Sequence, residues 1–257
     1  MNMNAPHQLK ALLDRLAETY ECPTFIEHDP IQVPHRFVRK EDIEISAFLT
    51  ATISWGQRAN AIKSALKLMD MLDNAPYDFL LEATPRDWQK FNQFFYRTFQ
   101  ADDCIYFLKT LKRIYQSGNS LEKIFTDCFR QEPSMFSTLM HFRKVFLAYH
   151  PPQRTAKHIA DVTKGSAAKR LNMFLRWMVR SNQRGVDFGL WKDIPPAALI
   201  IPMDVHVVAS TRKLGLLSRK TIDWKAAEEI TGHLRQLDPN DPIKYDFALF
   251  GMNINKS

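Results

Sequence analysis

Leu171, Phe174, Leu175, Met178 and Val179 stand at i, i+3, i+4, i+7 and i+8. That spacing lines one face of a helix with apolar side chains. Ile62, Leu66, Met69 and Leu72 follow helical steps as well, as do Ile105, Leu108, Leu111 and Tyr115. No segment alternates apolar and polar residues over the roughly six positions that would announce a strand. Only eight of the 257 residues are glycine, which leaves few sites for tight hairpins. The pattern predicts an all-α chain of about ten to thirteen helices.

Charge is unevenly placed. The chain carries 35 Lys+Arg and 28 Asp+Glu, for a net +7. Residues 1–150 hold 18 of each, so 151–257 hold 17 basic and 10 acidic residues. Between Arg154 and Arg184 there are eight basic residues and one acidic, Asp161. Such an excess attracts phosphate backbones. Hydrophobic content of 45% excludes wholesale disorder. No apolar run reaches the length of a membrane span, and the first twenty residues lack the apolar core of a signal peptide. Cys22, Cys104 and Cys128 are few and scattered, which points away from a disulfide framework and toward a reducing cytoplasm. No metal-binding spacing of Cys or His occurs.

Turn-forming residues cluster at 22–34, 73–76, 83–85, 117–120, 150–152 and 238–242. The longest non-periodic stretch is 180–202. Asp241 and Pro242 fit the N-cap and N1 positions of a last helix.

Two segments carry chemistry. In Thr163-Lys164-Gly165-Ser166-Ala167-Ala168-Lys169-Arg170-Leu171-Asn172 a glycine turn precedes a helix start, where free backbone N–H groups can bind phosphate. Lys169 falls in the first turn, where the helix dipole and Arg170 both disfavour its protonated form, as an amine nucleophile requires. Lys169, Asn172, Arg176 and Arg180 form a polar stripe opposite the apolar one and read as a solvent-facing basic edge. In Ile200-Ile201-Pro202-Met203-Asp204-Val205-His206, Asp204 opens a helix that runs to a C-terminal Gly215. A plain surface lysine and a plain N-cap aspartate are the alternatives.

Together these segments resemble the helix-hairpin-helix DNA glycosylases of the endonuclease III superfamily. There, a hairpin of the type G-x-G-x-K-T-A-N is followed by V-D-T-H at a helix start. Phe48-Leu49-Thr50-Ala51-Thr52-Ile53-Ser54-Trp55-Gly56-Gln57 resembles that family's early helix with its gap-filling glutamine. The pattern is also similar to a little-characterised bacterial family. Three departures stand out. The hairpin has one glycine instead of two. Lys169 and Asp204 are 204 − 169 = 35 residues apart, a long separation that makes the chain most similar to the archaeal 8-oxoguanine DNA glycosylases. The four-cysteine iron–sulfur loop is absent.

The resemblance implies a monomeric DNA repair glycosylase/AP lyase without cofactor or iron–sulfur cluster. It would act in base excision repair on double-stranded DNA containing a damaged base, an oxidised purine among the candidates. Such a protein would be cytoplasmic, and nucleoid-associated when bound to DNA. Lys169 would attack C1′ of a flipped nucleotide and Asp204 would stabilise the cationic sugar. Base contacts or gap filling would fall to Gln57, Trp55, Pro202, Asp246 and Phe250. The backbone would be held by Lys164, Gly165, Ser166, Arg170, Arg176 and Arg180. The segment 186–191 would cover a base pocket or simply plug the core. The fold implied is two helical subdomains with a DNA-binding cleft: 41–180 ending in the Lys169 helix, and 1–40 plus 181–257 carrying Asp204. The alternatives from other classes are a glycosylase-like DNA-binding protein without chemistry, and an RNA-directed or protein-interaction role for the basic face.

Overall fold

The computed structural model describes residues 6–254; of Pro6, Asn253 and Ile254 only the backbone is described. Eleven α-helices and nine short 3-10 turns make up the regular structure, with no strand among the described residues. No helix among them is long and apolar enough to cross a membrane. The chain divides into two units: Met1–Ile26 with Val162–Ser257, and Glu27–Asp161.

The unit Glu27–Asp161 is built on α2 (Lys40–Ile53), surrounded by α3 (Arg58–Met71), α4 (Pro76–Glu82), α5 (Ala101–Gln116), α6 (Leu121–Gln131) and α7 (Met135–Phe146). Every residue of α2 from Ile43 to Ile53 is buried, so this helix is enclosed rather than amphipathic. Phe48 of α2 meets Phe107, Phe142 and Phe146 within 6 Å between ring centroids. Each such ring, fully buried, contributes roughly 2 kcal/mol by removal from water. The one buried carboxylate on α2, Glu44, accepts from the Tyr115 hydroxyl at 2.8 Å. Ser120 and Ser134 cap α6 and α7 through their side-chain oxygens.

The other unit contains α1 (Pro6–Tyr20), α8 (Lys169–Val179), α9 (Val205–Lys213), α10 (Trp224–Leu237) and α11 (Tyr245–Ile254). Helix α8 is buried from Leu171 to Val179. Segment 186–191 closes over its C-terminal end: Phe188 N–H donates to Trp177 O at 2.8 Å and Trp191 N–H to Met178 O at 2.9 Å. Trp191 is fully buried against Phe174, so this segment plugs the core, with the buried Asp187 paired to arginines of α8. Helix α10 begins where Trp224 N–H donates to Gly165 O at 3.0 Å, tying the hairpin before α8 into the unit.

These contacts correct the expected boundary. The Lys169 helix does not close a 41–180 bundle; it is the centre of the unit that also carries Asp204. The stretch 180–202, the longest without periodicity, contains the segment that packs over its C-terminal end. Asp241 and Pro242 do open a helical turn, but that turn is a 3-10 segment, and the Asp241 side chain caps nothing.

Helices α1 and α11 lie so close that a Cβ on Gly251 would stand 2.1 Å from the Tyr20 ring. Gly251→Ala therefore forces the ring or the helix to move. It should destabilise the protein by about 1–3 kcal/mol, read as a lower urea midpoint at unchanged slope; an unaltered midpoint would contradict this packing.

Candidate active site

Helix α8 starts at Lys169 because the chain turns twice in the left-handed region just before it. Gly165 has φ +84° and Ala168, the N-cap, φ +49°. Gly165 suits that conformation, and nothing lies within 4 Å of where its Cβ would be, so backbone conformation is what demands glycine there. Ala168 offers no side-chain oxygen to the first-turn N–H groups. The hairpin is fixed instead by Gly165 N–H to Val162 O at 3.0 Å, Ala168 N–H to Ser166 Oγ at 3.2 Å and Asn172 Nδ2 to Ala167 O at 3.1 Å. Asn172 is itself buried, and its Oδ1 has no partner among the described residues.

Lys169 is half-exposed at N1 and makes no hydrogen bond or ion pair among the described residues. Arg170 beside it is held by burial below the usual arginine range, at about 10. Asp204 is the N-cap of α9, and its Oδ1 accepts from both His206 N–H and Val207 N–H at 2.9 Å. Its Oδ2 makes no hydrogen bond among the described residues. One oxygen is thus committed to the helix end. Pro202, just before it, is buried, and Lys164 is exposed.

The stripe that reads as a basic edge is the reverse. Arg176 and Arg180 are only 4% and 3% exposed and are spent on carboxylates. Arg176 Nη1 pairs with Asp246 and its Nε with Asp187 at 3.3 Å. Arg180 pairs with Asp187 at 2.6 Å, Asp241 at 2.8 Å and Glu21 at 2.8 Å. Phe247 lies against both guanidinium groups, 4.5 and 5.4 Å from ring centroid to carbon. Neither arginine is available to a DNA backbone, and Asp246, closed on Arg176, is not available to a base. Arg154, counted in the same basic run, belongs to the other unit and pairs with Asp103 at 3.0 Å.

Burial raises the Asp246 carboxyl to about 6; Arg176 opposes this, and the charges of Asp204 and Asp187 reinforce it. Asp204 is therefore within electrostatic reach of Asp246, which α8 holds through Arg176. Burial likewise raises Glu21 against the pull of Arg180. Burial alone would lower Arg180, but Asp187, Asp241 and Glu21 keep it well above its ordinary range.

Phe250 is half-buried, edge-on to Phe25 at 5.7 Å and to His206 at 5.7 Å. This aromatic group flanks the start of α9. Phe25 was not singled out by the sequence, where it is one phenylalanine in a proline-rich connector. Gln57 and Trp55 lie in the other unit. Gln57 is exposed at the N-cap of α3 and accepts from Asn60 Nδ2 at 2.9 Å. Trp55 packs edge-on to Tyr96 at 5.2 Å and over His158 at 6.0 Å.

The chain matches the family described as a protein of unknown function, DUF2400, over residues 29–255, and it belongs to that family. No curated protein and no solved structure matches it.

Two outcomes follow from the buried cluster. Arg180→Met strands Asp187 and Asp241 and should cost about 3–5 kcal/mol of stability, measured by urea unfolding; a neutral substitution would show that the pairs are not closed in solution. Burial raises the folded Asp246 carboxyl to about 6 from its ordinary 3.8, so the folded state holds its proton longer than the unfolded one. Wild-type stability relative to Asp246→Asn should fall as pH rises from about 4 to 6, by on the order of 2 kcal/mol; a constant or rising difference contradicts the shift.

Proposed function

We propose that the protein is a DNA glycosylase/AP lyase in which Lys169 is the nucleophile and Asp204 the carboxylate that stabilises the sugar cation. The observation that carries this reading is the state of those two side chains within one unit. Lys169 has no protein partner among the described residues, and Asp204 keeps one oxygen free while the other is fixed by two backbone N–H groups.

In the proposed reaction the damaged base leaves the stack, because C1′ is inaccessible inside it. The neutral Lys169 amine attacks C1′, the C1′–N bond breaks, and the base departs with a proton. The Asp204 carboxylate balances the positive charge that develops on the sugar. The lysine nitrogen lone pair then expels O4′, which takes a proton from water, and the ring-opened sugar is held as a protonated imine on Lys169. Loss of a C2′ proton expels the 3′-phosphate and cleaves the strand. Lys164, Gly165, Ser166 and Arg170 would hold the backbone at the hairpin. Phe250 and Pro202 would border the base. An oxidised purine is the substrate class that the archaeal resemblance favours.

Base release and strand nicking should be measured on a panel of duplexes carrying oxidised, alkylated and mismatched bases. Lys169→Ala should abolish nicking, and Asp204→Asn, which keeps the cap geometry, should slow base release about 10²–10⁴-fold. Duplex binding without base release on any member of the panel would favour a non-catalytic DNA-binding protein.

A further inference from the structure

The unit Glu27–Asp161 carries a second charged feature that the balance of charge over 1–150 hides. No carboxylate occurs between Glu44 and Asp70, or between Asp87 and Asp102. These two acid-free runs meet at one place. Tyr96 and Phe99 exchange backbone hydrogen bonds of 2.7 and 2.9 Å across a two-residue turn, and the Tyr96 hydroxyl donates to Trp55 O. A Cβ on Gly56, which has φ +80°, would stand 2.8 Å from Arg97 Nη1. The Arg97 guanidinium therefore lies directly on the Gly56 backbone, between Trp55 and Gln57 in sequence.

Arg97 itself has φ +53°, a conformation that disfavours any residue with a Cβ. The turn is held there from behind. Arg154 donates to Thr98 O at 2.8 Å and to the Gln100 side chain, and pairs with the fully buried Asp103. Asp103 also accepts from Thr155 Oγ1 at 2.7 Å and Gln100 N–H at 2.9 Å, with His158 Nε2 at 3.3 Å. This bracing fixes an exposed arginine that has no hydrogen bond or ion pair among the described residues. Phe95, two residues before it, is 74% exposed. An exposed guanidinium without an acceptor, on a turn braced from behind and between sequence runs that hold no carboxylate, is suited to an anionic ligand that arrives from outside.

On the DNA reading above, we propose that Arg97 binds a backbone phosphate of the duplex. A phosphodiester fits the guanidinium's paired donors, and the flanking Trp55 and Gln57 suit a nucleic acid better than an isolated carboxylate side chain.

The test is binding of a fluorescein-labelled duplex containing a tetrahydrofuran abasic analogue, followed by anisotropy across a salt series. Arg97→Gly removes the guanidinium and relieves the left-handed strain. It should weaken binding about tenfold and reduce the slope of log Kd against log salt by about one, while its urea midpoint stays the same or rises. Arg97→Lys should restore the slope but only part of the affinity. Wild-type binding with an unchanged affinity and slope in Arg97→Gly overturns the phosphate contact and leaves the Lys169 chemistry standing. Absence of wild-type binding overturns both. Equal competition by single-stranded RNA overturns the duplex assignment.

Discussion

Two arginines buried on one helix organise the unit that carries Lys169 and Asp204. Arg176 and Arg180 face Glu21, Asp187, Asp241 and Asp246, drawn from the end of α1, the plug after α8, the turn before α11 and α11 itself. Four carboxylates surround two guanidinium groups, so the cluster cannot be neutral with every group ionised. The raised Asp246 and Glu21 carboxyls are the physical outcome: burial penalises a surplus of negative charge, and protons answer it. Such a cluster adds little net stability over an apolar core of equal volume. What it supplies is registry. Each arginine reaches a specific carboxylate, so α8 cannot rotate or slide without stranding charges, and the first turn of α8 is held relative to the start of α9.

The all-helical class was legible in the sequence because the apolar stripe of α8 and the steps in α3 and α5 repeat with the helical period. The start of α9 was legible too, since an aspartate after Met203 has one cheap local use, to cap. The basic stripe misled for a definable reason. A helical wheel records which residues share a face, but not what returns to cover that face. Asp246 lies 70 residues beyond Arg176, and nothing local links them. The same limit hid Arg97. Summed over 1–150 the charge cancels, yet the acidic residues fall outside the two runs that meet at Gly56.

The positive charge that first suggested nucleic acid is thus redistributed. Its most concentrated pair is internal and neutralised, Arg154 braces a turn in the other unit, and the hairpin keeps Lys164, Lys169 and Arg170. What remains free is less charge and more geometry: an unpaired lysine, a carboxylate with one unused oxygen, and a braced arginine over a glycine.

The most direct test of that account is where a covalent bond forms. The protein should be incubated with a duplex containing an abasic site, reduced with borohydride, digested and mapped by mass spectrometry. The account predicts a reduced sugar adduct on the Nζ of Lys169 and on no other amine. An adduct at a different lysine, or none under conditions where the duplex is bound, would contradict it.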